Sequence, residues 1–87
     1  MTKLELIKYE KSMSRIADAV TFGTPYENDL WAAVSKGIAV YGESKYGRTK
    51  VQKGIERISK KYNTDPMVVC DDIDRQVDWF HKKFSNI

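Results

Sequence analysis

Eighty-seven residues, 41% of them apolar and 31% charged, make a chain too short for two separately packed cores and too apolar for intrinsic disorder. Fifteen Lys and Arg against twelve Asp and Glu leave a net charge of +3, a surplus that suits an anionic partner without demanding one. One cysteine, Cys70, excludes an internal disulfide, and one histidine, His81, leaves no Cys/His cluster with zinc-ligand spacing.

The first predicted element is a helix over 2–21. Its apolar residues Leu6, Tyr9, Met13, Ile16 and Val20 recur in steps of three and four, which keeps them on one stripe. Thr2 and Glu5 form a capping box ahead of it, and Gly23 stands where a left-handed residue would end it. Trp31, Val34, Ile38 and Tyr41 define a second helix over 25–41, opened by Thr24, Pro25 and Glu27 and closed by Gly42. Residues 42–48, with two glycines and three charges, read as the longest loop. A third helix, over 49–62, carries Val51, Ile55, Ile58 and Tyr62, with Thr49 and Gln52 as its capping box and Asn63 as its stop. Asp65 and Pro66 open a fourth, over 66–85, whose stripe is Ile73, Val77, Phe80, Phe84 and Ile87.

Short connections between such stripes predict an all-α chain, 1–87 a single helical domain, arranged as an antiparallel up-down four-helix bundle. Gly37 and Gly54 interrupt two of the helices at about 1 kcal/mol each relative to Ala, and are read as points where backbones approach closely. Charges break the apolar N-terminus every few residues, so no membrane span or secretion signal is expected, and the location expected is cytoplasmic.

No catalytic constellation emerges, and neither enzyme activity nor a cofactor is expected. His81 lies off the apolar stripe beside Lys82 and Lys83, the position of a surface histidine. Asp71, Asp74 and Asp78 share one side of the fourth helix, but Arg75 and Lys82 are close enough to pair with the acids there. Cys70, among Met67, Val68 and Val69, reads as a small core residue rather than a nucleophile.

Binding surfaces are the better prospect. Opposite the third helix's stripe lie Lys50, Lys53, Arg57, Lys60 and Lys61, and the preceding segment adds Lys45, Tyr46 and Arg48. A positive ridge with an aromatic ring could follow a phosphate backbone, although charged helix faces commonly serve only solubility. Residues 58–69 resemble the first helix and turn of helix-turn-helix repressors. In that family the following helix enters the major groove, and here it would carry Asp71, Asp72 and Asp74 toward the phosphates, against the resemblance.

Leu4, Ile7 and Trp79 lie off the stripes, and two readings are open. Small bundles bury wide faces, and a Trp flanking a seam commonly covers a neighbour's edge. Alternatively these residues stand at the surface, Trp79 with Lys83 beside it, as anchors for another protein or for a second copy in a homodimer. In size and layout the chain is similar to small phage-encoded regulators and bacteriocin immunity proteins, a likeness of class and length that carries no residue across. The expected function is a small module that docks on another macromolecule as a regulator, inhibitor or immunity-type factor. Nucleic-acid binding through the basic face is the alternative.

Overall fold

A computed structural model describes residues 2–84; the predicted helical residue Ser85 and the stripe residue Ile87 lie outside them. The chain is all-α. Helix α1 spans Lys3–Asp18. The second rod runs unbroken through α2 (Pro25–Leu30), a π-helical stretch (Trp31–Ser35) and α3 (Lys36–Tyr41), followed by the short α4 (Glu43–Tyr46), α5 (Arg48–Tyr62) and α6 (Pro66–Phe84).

Local chemistry sets most boundaries. The Thr2 hydroxyl accepts from the Glu5 N–H at 3.2 Å, and Thr24 accepts from the Glu27 N–H at 3.2 Å while donating to the Glu27 carboxylate at 2.9 Å. Asp65 accepts from the Met67 N–H at 2.7 Å, with Pro66 in the first turn where a missing N–H costs nothing. Asn63 ends α5 in the left-handed conformation, φ 50° and ψ 50°.

Four expectations are corrected. Helix α1 stops at Asp18 rather than near 21, and the segment after it is held by Asn28, whose side chain accepts from the Phe22 N–H at 2.7 Å and donates to the Phe22 carbonyl at 3.1 Å. Gly23 is therefore not a left-handed cap, and among the described residues only Gly42, Gly47 and Asn63 have positive φ. Segment 42–48 is not a loop, because α4 occupies it between Gly42 (φ 83°) and Gly47 (φ 112°), two sharp turns that a side chain would resist. Thr49 does not cap α5, which already begins at Arg48 behind Gly47.

The central rod organises the rest, since α1, α5 and α6 all pack against it. The described residues measure 42 × 27 × 16 Å, and the short dimension is about two packed helices deep. Two apolar clusters fill it: Met13, Ala17, Trp31, Ala39, Val40 and Phe80 in one, Leu30, Val34, Ile58, Val69 and Ile73 in the other. Val77 touches both.

The π turn decides which residues of the central rod face inward. A π turn inserts one extra residue, so the apolar stripe behind it slips in phase. Ala39 and Val40 become buried, while Tyr41, expected in the core, is 43% exposed. Trp31 sits at the start of this turn and its indole N–H donates to the Ala17 carbonyl at 3.0 Å, adding a second bond to the one that carbonyl accepts from the Val20 N–H at 3.2 Å in α1's last turn.

Both interior glycines mark close approaches. A Cβ at Gly37 would collide with the Tyr46 ring, and one at Gly54 with the Val34 side chain.

Candidate binding surfaces

Helix α1 holds to the body only from its third turn onward. Every residue from Thr2 to Tyr9 is exposed, whereas Glu10, Met13 and Ala17 are buried. Leu4 is 62% exposed and Ile7 40%, so of the two readings open for them the surface one holds. Leu6 and Tyr9, expected in the core, are exposed as well at 42% and 39%, because the start of α1 is only partly covered. At about 100° per residue these four side chains spread around the helix, with Lys3, Glu5 and Lys8 between them, so this start presents apolar groups on more than one side.

A tether marks where the projection begins. The Glu10 carboxylate accepts from Lys45 Nζ through both oxygens, at 2.8 and 2.9 Å, tying α4 to α1. Lys45 Nζ also lies 5.8 Å from the centre of the exposed Tyr41 ring. Ile7, Glu10, Arg15 and Tyr41 line a shallow groove of about 320 Å³ beside it.

Trp79 belongs to a different edge. Its ring packs 5.4 Å from Phe22 and 6.0 Å from Phe84, and Lys83 Nζ lies 5.1 Å over its face. It remains 38% exposed and borders a groove with Ile16, Ala19 and Val20, at the other end of α1. The rise of a helix separates that groove from Ile7 by about 15 Å, so the structure does not bring Trp79 and Lys83 together with Leu4 and Ile7.

The basic face is divided by its partners. Besides Lys45 on Glu10, Lys61 Nζ donates to Asp29 at 2.6 Å. Tyr62 donates its hydroxyl to the same carboxylate, and these two bonds, Lys61's foremost, hold the Asp29 carboxyl below the usual range. Asp29 in turn raises the Lys61 ammonium and the Tyr62 hydroxyl above their ordinary values. Tyr46, expected as an outward stacking ring, is instead half-buried against Gly37 and donates to the Ala33 carbonyl at 2.9 Å. Lys45, Tyr46 and Lys61 thus act inside the fold. Arg48, Lys50, Lys53, Arg57 and Lys60 stay exposed, and no carboxylate lies within ion-pair distance of them among the described residues.

Elsewhere the titratable groups are structural. His81 is exposed and its Nε2 lies 2.8 Å from the Ala39 carbonyl oxygen, joining α6 to α3. Burial first, and then Asp74 and Asp71, push the Cys70 thiol up, away from a reactive thiolate. Asp72 pairs with Arg75 at 3.4 Å and Asp78 with Lys82 at 3.0 Å, and among the described residues no group of three His, Cys, Asp or Glu could hold a metal ion. Asp72 also accepts from the Tyr26 hydroxyl at 2.7 Å, and burial followed by this bond drives the Tyr26 pKa strongly upward.

No described helix is long and apolar enough to cross a membrane. Comparison with protein-family models, curated proteins and solved structures finds no match to this chain.

Proposed function

We propose that this protein is a docking module that binds another protein through the projecting start of α1, with Leu4, Leu6, Ile7 and Tyr9 as its apolar anchors and Tyr41 at the edge. The observation that carries this reading is that every residue of Thr2–Tyr9 is exposed, on a segment bearing four large apolar side chains that keep 39–62% of their surface in solvent. A helix start with so little cover gains little from tertiary burial, and isolated short helices are marginal in water. A partner surface laid against one side of this segment would cover neighbouring anchors such as Leu6 and Tyr9 or Leu4 and Ile7, and a buried tyrosine ring such as that of Tyr9 is of the kind that dominates interface energies.

The test compares captures from the native host made with the wild-type protein and with the Leu4→Ser, Ile7→Ser double variant, identifying retained proteins by mass spectrometry. A protein held by the wild type and reduced about tenfold or more on the variant, whose helical circular dichroism is unchanged, supports the reading. Identical sets on both baits overturn it. Sedimentation across a concentration range identifies the case in which the partner is a second copy.

A further inference from the structure

The five exposed cations Arg48, Lys50, Lys53, Arg57 and Lys60 lie along one helix and span about 18 Å of its axis, the length of several phosphates on a nucleic-acid strand. At about 100° per residue Lys50, Lys53, Arg57 and Lys60 share one face while Arg48 falls on the other side, and three of the four do more than share a face. Lys50, Lys53 and Arg57 rim a shallow groove of about 330 Å³ whose floor is Ala33 and Gly54 and whose end wall is Tyr46. Gly54 brings α5 so close to Val34 on the central rod that the groove has no room for a deeper occupant. It is a trough with cationic edges and an uncharged floor, suited to a chain of anions laid across it.

Neighbouring acids leave that charge largely uncompensated. Asp29, whose carboxyl Arg57 helps to lower after Lys61 and Tyr62, is already bonded to those two residues. Glu43 lies beside Arg48, at a separate concavity shared with Ser44. Glu56 is exposed on α5 and pairs with none of the cations within ion-pair distance.

We infer that the Lys50–Lys53–Arg57 groove is a nucleic-acid site, binding the phosphodiester backbone of a duplex without reading its bases. The aromatic evidence selects duplex over single strand. Single-strand binders present free rings on which bases stack, whereas the Tyr46 hydroxyl is bonded to Ala33, its ring fills the space over Gly37, and Lys50 Nζ sits 5.6 Å over its face. With no free ring to offer, phosphate contacts from Lys50, Lys53 and Arg57 supply the affinity. This site lies on α5, away from the projecting start of α1, so it stands whether or not α1 docks a protein.

The experiment is fluorescence anisotropy of a labelled 20-base-pair DNA duplex of random sequence, titrated with the full chain at several salt concentrations. Three phosphates neutralised at the groove give a slope of log affinity against log salt of about −2.7, or about 40-fold weaker binding at 200 mM than at 50 mM salt. The Lys53→Gln, Arg57→Gln double variant should lower affinity equally on unrelated sequences and make the slope shallower by about two. Both side chains are exposed and free of ion pairs, so the fold is kept, which circular dichroism checks.

Lys3→Gln, Lys8→Gln removes the same charge from α1 and should leave the slope unchanged. Binding that is undetectable at 50 mM salt overturns the inference. So does a slope that responds equally to both double variants, because net charge alone would then explain it. Preference for phosphatidylglycerol vesicles over the duplex at equal salt would replace the nucleic acid with a membrane surface and also overturn it.

Discussion

Helices α1 and α5 are nearly equal in length, 16 and 15 residues, and carry the same three-and-four apolar spacing, yet they attach to the protein in opposite ways. Val51, Ile55 and Tyr62 are half-buried and Ile58 is fully buried, so α5 is held from its first turn to its last. Gly54 presses it onto Val34 in the middle, and Lys61 and Tyr62 fasten its end to Asp29. Helix α1 is held by Met13, Ala17 and the Glu10–Lys45 bond, and its first two turns stand clear. An apolar stripe therefore states which face of a helix seeks cover. Whether cover exists depends on how far the neighbouring helices extend.

The largest expected effect tests the division within α1. Met13→Ala, in the buried half, should lower unfolding free energy by about 2–5 kcal/mol through lost burial and the cavity left behind. Leu6→Ala, seven residues earlier on the same stripe, should change it by less than about 0.5 kcal/mol. Urea unfolding followed by circular dichroism measures both. A loss at Leu6 comparable with that at Met13 would show the start of α1 to be covered within the chain and would erase the contrast with α5.

Next in size is the tight seam beneath α5. Gly54→Ala sets a methyl group against Val34, which is fully buried and β-branched and so cannot swing aside. Overpacking of this kind costs about 1–3 kcal/mol, and improved helix propensity returns about 1 kcal/mol of it. A net loss of up to about 2 kcal/mol in the same unfolding assay is expected. Gly23→Ala is the matched control, since open space surrounds that position and its φ is not positive, and it should be neutral. A stabilising Gly54→Ala would mean that the seam is looser than drawn and that α5 is held mainly at its ends.

How far these features were legible in the sequence follows from their range. Thr2, Thr24, Asp65 and Asn63 act on backbone groups within five residues, so their roles could be read directly. The π turn at Trp31–Ser35 leaves no such mark: nothing in Trp-Ala-Ala-Val-Ser departs from ordinary helical spacing, and a constant period places Tyr41 inside when the slipped phase puts it outside. Helix α4 is too short at four residues for any period to appear.

The basic face was visible as a row of cations, but not which of them were already engaged. Lys45 finds Glu10 across 35 residues and Lys61 finds Asp29 across 32, pairings that only the fold creates. Leu4 and Ile7 were recognisable as surplus to the stripe. The exposure of Leu6 and Tyr9 was not, because it reflects incomplete cover by neighbours rather than a feature of α1 itself.

The smallest effect concerns the fastening at the end of α5. The Asp29 carboxyl has a lower pKa in the folded chain than in the unfolded one, so its contribution to stability is complete above the ordinary carboxylate range, about pH 4, and is lost as pH falls through the depressed value. Lys61 and Tyr62 are shifted upward by the same contact, so their contribution holds below their ordinary values, about pH 10, and fades as pH rises through the raised ones. Asp29→Asn should lower stability between about pH 4 and pH 10, where the contact is complete, and converge with wild type at both extremes, where the contact is already lost. The loss is small because exposed charges are screened by water. The readout is the urea midpoint of wild type and variant across the two pH ranges, joined to hydrogen exchange of the last turn of α5. Faster exchange confined to that turn in the variant would show that the carboxylate holds the helix end. If exchange there is unchanged while the midpoint moves, the charges act on the whole fold, and α5 owes its full-length attachment to apolar packing alone.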